Sequence, residues 1–424
     1  MRILVNPPRS EWPSLTRRKG IDYVSIRPRV QAILDAVRTE GDGALRRLSA
    51  EIDGVSLQDI AVRPEEIEAA CRLVSPQVQD AVRTARRNIE AFHRAQLPRE
   101  IRVETAPGVV CIQRPVPIRS VGLYIPGGSA PLFSTVLMLA VPAALAGCPE
   151  RILCTPCRRN GAVAPEVLFA ARECGIRKVF RIGGAQAIAA MAYGTESIPQ
   201  VDKIFGPGNP WVTLAKQLVS GDRTAIDMPA GPSEVLVWAD RSTPPAFAAA
   251  DLLSQAEHGA DSTAILVCDD RSYAEEVLQE VENQRIRLPR TTQVDGALSH
   301  SSALVFDDPQ DRLDFVEAYA PEHLILATAD AETVSRRITA AGSVFIGPWS
   351  PESAGDYASG TNHTLPTSGW ARSCSGVNLE SFCRRMTLQQ LTREGLETLA
   401  PVITTLAGAE GLEAHAAAVN IRLS

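Results

Sequence analysis

Apolar residues in the middle of the chain follow two alternating patterns. Short runs rich in β-branched residues, such as 120–125 and 234–238, alternate with longer stretches whose apolar positions recur at helical spacing, such as 133–146. Several of the longer stretches end at a glycine, which commonly terminates a helix. A strand followed by a helix and a further strand predicts a parallel sheet covered by helices. We therefore predict two consecutive α/β lobes.

The predicted strands of the first lobe span 120–125, 152–155, 179–182 and 203–205, and its helices span 133–146, 165–174, 185–193 and 209–218. The strands of the second lobe span 234–238, 264–267, 304–306, 324–327 and 344–346, and its helices include 251–253, 273–283, 313–319 and 331–340. The two lobes share an order of elements without a residue-level repeat, which suggests a duplicated architecture.

The flanking segments have a different pattern. An amphipathic stretch at 29–49 and two helical segments within 64–93 precede the first lobe, and we expect them to pack onto the second lobe. The segment 348–376 is rich in turn residues, and its aromatic residues favour a functional loop over a disordered one. Two final helices are predicted over 388–393 and 396–419, the second interrupted near Pro401.

Composition narrows the class of protein. The 424 residues are 45% hydrophobic and 22% charged, which is typical of a soluble globular protein with a large core. A formal charge of −6 without long basic runs argues against a nucleic-acid partner. The sequence has no apolar stretch long enough to cross a membrane and no signal-like start, so no membrane partner is expected. Nine scattered cysteines predict free thiols in a reducing cytoplasm.

The six histidines of the chain are unevenly placed. Four of them lie in polar clusters, at 254–259, 321–323, 356–363 and 410–415. Imidazole is the commonest protein ligand for zinc and the commonest general base near neutral pH. Because histidines are so few and these four lie beside Gln, Glu and Asp, we predict that they bind a metal or transfer protons. His93 and His300 lie outside these clusters.

The first cluster has the spacing of a metal site. Gln255 and His258 are three residues apart on a predicted helix and therefore project from one face. Asp356 would add a carboxylate oxygen and His415 a second nitrogen, a mixed set that zinc accepts. The alternative is that Gln255 and His258 merely line a helix end before Gly259. Spacing alone leaves this alternative open.

Glu322 and His323 enter a predicted strand together. At a loop-to-strand junction both side chains can reach one pocket and supply two bases of different strength. A surface turn with two solvated polar groups is an equally good interpretation of the spacing alone.

Three glycine-rich turns follow strands of the first lobe, at 124–129, 183–186 and 206–210. Such turns present free backbone N–H groups to a ligand, often an anionic one. None has the GxGxxG spacing of dinucleotide-binding proteins, and Asn209 before Pro210 also fits a simple helix cap. The CxxC pair Cys154 and Cys157 has no second pair and is interpreted as a strand end.

These segments together resemble the histidinol dehydrogenase family. The resemblance is carried by 121–128, 183–186, 205–209, DMPAGPSE at 227–234, 252–259, PEHL at 321–324 and WSPESAGDYASGTNH at 349–363, and it runs from about Val30 to the C-terminus. It implies a zinc- and NAD-dependent oxidation of L-histidinol, through L-histidinal, to L-histidine. It also implies an α/β fold of two incomplete Rossmann-like lobes with parallel sheets, a helical N-terminal segment and a small helical C-terminal tail.

The resemblance further implies roles for individual residues. One zinc ion per subunit would be held by Gln255, His258, Asp356 and His415, and the catalytic pair would be Glu322 and His323. NAD would be contacted by Tyr124, Gln186 and Asn209. The substrate would be contacted by Ser233, Gln255, His258, His323, Asp356, Glu410 and His415. The family is homodimeric, so the tail is expected to reach the partner's site. His363 lies in a matched segment without an assigned role.

The expected division is an arm at 1–24, a discontinuous substrate and zinc lobe at 25–120 and 233–375, an NAD-binding lobe at 121–232, and a tail at 376–424. A related zinc and NAD enzyme acting on a sulfonated diol is the main alternative, but Ser233, Glu410 and His415 all match the histidinol pattern. A zinc hydrolase would not need the first lobe, and a catalytically silent metal-binding protein would not need Glu322 and His323.

Overall fold

A computed structural model describes residues 1–18, 23–127, 131–222 and 224–424. Within these ranges the fold contains a six-stranded parallel sheet, a five-stranded parallel sheet and a three-stranded antiparallel sheet. This arrangement confirms the predicted α/β class with two parallel sheets. Residues 128 and 129 of the first glycine-rich turn lie outside the described residues.

The N-terminal region consists of β1 (Arg2–Val5), α1 (Trp12–Leu15), α2 (Tyr23–Glu40), α3 (Asp42–Leu48), α4 (Pro64–Cys71) and α5 (Pro76–Arg94). The helices predicted within 29–49 and 64–93 are confirmed. The start of α5 shows why: the Ser75 side chain accepts a hydrogen bond from the backbone N–H of Val78, and Pro76 occupies the first helical position. A hairpin follows, formed by β2 (Ile101–Ala106) and β3 (Val109–Pro117), which the sequence reasoning did not predict.

The first lobe contains the predicted alternation of strands and helices. Its elements are β4 (Ser120–Tyr124), α6 (Phe133–Leu145), β5 (Glu150–Cys154), α7 (Pro165–Glu173), β6 (Lys178–Phe180), α8 (Gly184–Tyr193), β7 (Lys203–Phe205), α9 (Pro210–Ser220) and β8 (Ala225–Ile226). The strands are parallel in the order β6-β5-β4-β7-β8. The order reverses between β4 and β7, and ligands of such sheets bind at the carboxyl ends near this point.

The N-terminal helices pack onto this first lobe. Val30, Leu34 and Val37 of α2 are buried in one core with apolar residues of α8 and α9, and α4 and α5 pack against α7 and α6. The prediction that these helices pack onto the second lobe is therefore wrong. An apolar stripe shows that a helix is covered but not which of two similar sheets covers it.

The second lobe contains β9 (Glu234–Ala239), α10 (Pro245–Ala256), β10 (Thr263–Cys268), α11 (Arg271–Arg285), α12 (Thr291–Leu298), β11 (Ser302–Val305), α13 (Pro309–Tyr319), β12 (His323–Ala327), α14 (Ala331–Ser335), β13 (Ser343–Ile346) and α15 (Glu352–Tyr357). Its parallel sheet has the order β1-β11-β10-β9-β12-β13, so the N-terminal strand pairs with β11 at the sheet edge. The turn-rich segment 348–376 thus contains the short helix α15.

The C-terminal tail consists of β14 (Cys383–Leu391), α16 (Arg393–Ala409) and α17 (Glu413–Leu423). The predicted helix at 388–393 is wrong, because β14 pairs antiparallel with β3 along its whole length. The predicted interruption near Pro401 is also wrong. Pro401 lies inside α16, and the tail bends instead at Gly411, whose φ of 71° is in the left-handed region that glycine tolerates.

Short helical turns complete the described elements: 3-10 helices at Arg9–Glu11, Trp370–Arg372 and Leu379–Phe382 and a π-helical turn at Ser49–Asp53. Within the described ranges, none of the helices is both long enough and apolar enough to cross a membrane.

Candidate active site

Strand ends of both lobes meet at one place. From the first lobe come the carboxyl end of β4 at Tyr124 and the turn after β7 at Gly206. From the second lobe come the amino ends of β9 and β12, preceded by Ser233 and Glu322. The site therefore lies between the carboxyl edge of one parallel sheet and the amino edge of the other.

These strand ends line a cavity of about 320 Å³ between the lobes. Seven of the predicted site residues line it: Tyr124, Asn209, Ser233, His258, Glu322, His323 and Asp356. A cavity of this size is within the range that small-molecule ligands occupy. The structure thus brings together residues from six separate places in the sequence.

Glu322 and His323 are buried side by side at the start of β12, only 4% and 3% exposed. Oε2 of Glu322 accepts a hydrogen bond of 2.9 Å from the backbone N–H of Glu234 and lies 3.7 Å from Nδ1 of His323. Burial raises the pKa of Glu322 to about 8, against the opposing effect of the neighbouring imidazole. A carboxyl group poised in this range can act as a base near neutral pH.

Three carboxylates surround the His323 imidazole. Nδ1 lies 3.8 Å from Oε1 of Glu352, and Nε2 lies 3.6 Å from Oδ1 of Asp356. Burial favours the neutral ring, but Glu352, Glu322 and Asp356 outweigh it and raise the pKa of His323 to about 10.

A group of ligand atoms suited to a metal ion lies beside His323. His258, Glu352 and Asp356 each offer an atom within 4.8 Å of the others, and Nε2 of His258 is 3.9 Å from Oδ2 of Asp356. Gln255, on the last turn of α10, is fully buried, yet neither its amide oxygen nor its amide nitrogen has a hydrogen-bond partner. A buried amide without a partner is costly, and a bound cation would satisfy its oxygen. The donor set of Gln255, His258 and Asp356 fits zinc.

Glu352 is a site residue that the sequence reasoning missed. It is fully buried, and both carboxylate oxygens lack hydrogen-bond partners. Burial raises its pKa to about 8. Its spacing from Asp356, four residues on one helix, places both side chains on the same face of α15 and could have indicated it.

Two of the predicted NAD contacts line the main cavity, and the third hydrogen bonds to a residue of an adjoining cavity. Tyr124 and Asn209 line the main cavity, and the Asn209 side chain also caps α9 by accepting from the backbone N–H groups of Trp211 and Val212. The cap interpretation of Asn209 is therefore confirmed, beside its place in the cavity. Gln186 is buried and donates to Asp53 at 3.1 Å. Asp53 lines a second cavity of about 310 Å³, which shares Pro126 and Gly127 with the first.

The tail residues are the exception. Glu410 and His415 are exposed and are not among the residues that line the main cavity of their own chain. The structure of one chain therefore does not bring these two residues to the site.

His363 has a structural environment of its own. Its Nδ1 lies 2.9 Å from the backbone oxygen of Asp356, and its Nε2 lies 3.1 Å from the Thr135 hydroxyl. These contacts join the loop after α15 to α6 of the first lobe. His363 lines the cavity and holds the backbone of Asp356 in place.

Comparisons with known proteins agree on one family. A family model described as "Histidinol dehydrogenase" matches residues 16–423 of this chain. Proteins named histidinol dehydrogenase from Bacteroides thetaiotaomicron and Escherichia coli are 51% and 53% identical over 100% of this chain and 99% and 94% of their own lengths. A crystal structure of histidinol dehydrogenase from Elizabethkingia anophelis matches with a TM-score of 0.95 at 49% identity, covering 100% of this chain and 98% of that chain.

Proposed function

The chain belongs to the histidinol dehydrogenase family, and we propose that Glu322 and His323 are its proton acceptors in an active site completed by a second subunit. The enzyme oxidises histidinol in the final step of histidine biosynthesis. The full-length relatives favour this activity over a sulfonated-diol dehydrogenase or a zinc hydrolase. The observation that carries the proposal is the buried pair Glu322 and His323 beside the zinc-type donor set, in one cavity between the lobes.

Zinc and NAD are the cofactors of this family. When bound, zinc fixes polar groups of the substrate as a template and NAD accepts hydride. Gln255, His258 and Asp356 would hold the metal, with His415 of the partner subunit as a fourth ligand. The unpartnered amide of Gln255 supports this set. We propose that the same four residues, together with Ser233, His323 and the partner subunit's Glu410, also position the substrate.

His323 accepts the hydroxyl proton in the first oxidation. Its ring lies at the amino end of β12, in the cavity and 3.6 Å from Asp356. The acceptor must be neutral, and a metal ion held by Asp356 would offset the carboxylates that raise the pKa of His323.

Glu322 serves the second oxidation, from aldehyde to acid. As a carboxylate it removes a proton from water, whose oxygen forms a bond to the aldehyde carbon. The carbonyl π bond breaks, and the carbonyl oxygen takes up a proton to give the hydrate. Loss of hydride from that carbon and of the hydroxyl proton then yields the carboxylic acid. Burial between the lobes keeps bulk water away from the aldehyde and limits its escape.

The exposed tail supports a homodimer with shared sites. Among the described elements, α16 and α17 contact mainly each other and β14, so they project from their own lobes. Val402, Leu406, Leu412 and Ile421 of the tail are exposed, as are Trp349 and Tyr357 near the cavity. Apolar surface of this extent is typical of an interface between subunits. We propose that the tail at 376–424 completes the site of the partner.

The two lobes then have separate tasks. We propose that 121–232 bind NAD through Tyr124, Gln186 and Asn209, and that 233–375 hold zinc and substrate. All nine cysteines are unpaired, which suits the reducing cytoplasm that we propose as the location of the enzyme.

Two variants test the proton acceptors separately. In His323→Asn the first oxidation should slow by roughly 10²–10⁴-fold, because its proton acceptor is lost. In Glu322→Gln the oxidation of histidinal should slow by a similar factor while NADH still forms from histidinol. Single-turnover NADH formation from each substrate separates the steps, with Glu275→Gln, an exposed position on α11, as the matched control. Equal loss of both steps in both variants would overturn these roles.

A further inference from the structure

The main chain of one residue contacts both candidate proton acceptors. The backbone N–H of Glu234 donates to Oε2 of Glu322 at 2.9 Å, and its backbone oxygen lies 3.3 Å from Nδ1 of His323. N–H and C=O of one residue point to the same side of an extended strand. The amino end of β9 therefore presents one donor and one acceptor to the pair.

The side chain of Glu234 is held from several directions. It is 1% exposed, and its carboxylate accepts from Arg18 through Nε at 2.6 Å and Nη2 at 2.9 Å. The backbone N–H of Ser368 donates at 2.9 Å and the Tyr319 hydroxyl at 3.3 Å. Both carboxylate oxygens accept hydrogen bonds. Any other position of this side chain would lose several of them, so the side chain is fixed in place.

Arg18 reaches this carboxylate from the N-terminal segment, 216 positions earlier in the sequence. Its guanidinium stacks over the Tyr319 ring at 3.6 Å and its side chain is 15% exposed. Such a buried pair adds little net stability over apolar packing, whereas it fixes geometry when both partners are present. Because the backbone of Glu234 contacts Glu322 and His323, a fixed position of this ion pair also fixes the backbone groups that face them.

We propose that Arg18 and Glu234 are positioning residues for oxidation: their ion pair fixes the amino end of β9, which in turn orients Glu322 and His323. The inference rests on the proposed roles of Glu322 and His323. The charge of Glu234 acts on the neighbouring Glu322 and raises its pKa, and Arg18 carries the opposite charge on the far side of Glu234. Neither Arg18 nor Glu234 contacts the substrate in this arrangement.

Four variants of the full-length, zinc-loaded dimer test the proposal: Arg18→Met, Arg18→Lys, Glu234→Gln and the double change Arg18→Met with Glu234→Gln. Arg18→Met should lower kcat for histidinal oxidation by roughly 10–100-fold, as loss of a supporting hydrogen-bond partner does. KM for histidinal and NAD should stay within about twofold, because the proposed metal ligands and NAD contacts are unchanged. Arg18→Lys, which keeps the charge, should recover a large part of kcat. The double variant should lie between wild type and Arg18→Met, because no unpaired carboxylate is left buried.

Arg312→Met is the matched control. Arg312 is similarly buried, with 11% exposure, and donates to the backbone oxygen of Phe306 at the opposite end of the same sheet. It should lower the melting temperature without changing kcat. If Arg18→Met behaves in the same way, the pair is merely structural and the proposal is overturned.

Instability of Arg18→Met does not prevent a decision. In that case a double variant with wild-type kcat overturns the proposal, and one with reduced kcat at unchanged KM supports it. Failure of the proposed roles of Glu322 and His323 has a different result, since Glu322→Gln and His323→Asn would then slow both oxidations equally or leave both intact.

Discussion

Nε2 of His258 lies 3.9 Å from Oδ2 of Asp356, although His258 follows α10 and Asp356 lies on α15, almost a hundred residues later. The amide of Gln255, on the last turn of α10, is buried without a hydrogen-bond partner. A histidine nitrogen close to a carboxylate oxygen and a buried amide without a partner support the metal site proposed above. Its cost to the metal-free protein and its benefit to the metal-bound protein can be measured separately.

Gln255→Met should affect these two states in opposite directions. Zinc affinity should fall by roughly 10–100-fold or more, because a ligand oxygen is lost. The metal-free protein should be at least as stable as wild type, because the change removes a buried amide that has no hydrogen bond. Chelator competition and urea unfolding of the metal-free protein measure the two effects, with the exposed Gln279→Met as the control. Lower stability of the metal-free variant would contradict this account.

Mixing two inactive variants tests whether the tail acts across subunits. His415→Ala and Glu322→Gln should each be nearly inactive for histidinal oxidation. Random exchange of subunits produces mixed dimers in which one site combines intact Glu322 with intact His415 of the partner subunit. About a quarter of all sites should then be active, from the statistics of a two-fold dimer. Activity that does not rise on mixing, while native mass spectrometry shows mixed dimers, places His415 in its own chain's site.

The pH dependence of histidinal oxidation should follow Glu322. Burial raises the pKa of this carboxyl to about 8, and only its ionised form can take a proton from water. The rate should therefore rise about tenfold per pH unit below the pKa and level off above it. Single-turnover rates over a pH series measure the profile, and Glu322→Gln should remove it. A midpoint near the ordinary glutamate pKa would show that burial does not raise the pKa of Glu322 in the reacting enzyme.

Glu66 should make stability depend on pH in the acid range. Partial burial acts to raise its pKa, but hydrogen bonds from Arg181 and Arg63 outweigh it and lower the pKa to about 2 from an ordinary 4.5. Because the folded pKa is depressed, the stabilisation is complete above 4.5 and disappears as pH falls towards 2. Glu66→Gln should cost about 1 kcal/mol in urea unfolding at pH 7 and progressively less below pH 4.5. The more exposed Glu68→Gln, on the same helix, should show a smaller and flatter difference.

The sequence predicts the two-lobe fold well because buried parallel strands and their covering helices have distinct periods. Between Ser120 and Ile346 each predicted strand and helix has a counterpart in the structure. The tail is harder, because β14 is an exposed strand whose conformation depends on pairing with β3. The packing of α2, α4 and α5 is decided by long-range contacts that the pattern of a single helix does not contain.

The side chains of the site can be predicted from the sequence about as well as the two-lobe fold. Residue type and the family resemblance single out Glu322, His323, His258 and Asp356, and the structure places all four in one cavity. The support of Glu322 by the Glu234 backbone is a different matter. A backbone N–H has the same chemistry in every residue except proline, so its role emerges only when the two strands are placed side by side.

The pairing of β1 with β11 has a consequence for synthesis. Asn6 and Asp307, which hydrogen bond where this pair of strands ends, are 301 positions apart. At about 5–20 residues per second, a ribosome needs roughly 15–60 s to make the chain between them. Residues 2–5 must therefore wait unpaired while the first lobe, whose strands and helices are all made earlier than β11, is free to fold. The edge strand of the second sheet is therefore made long before the strand it pairs with, and it can join the sheet only after β11 has been made.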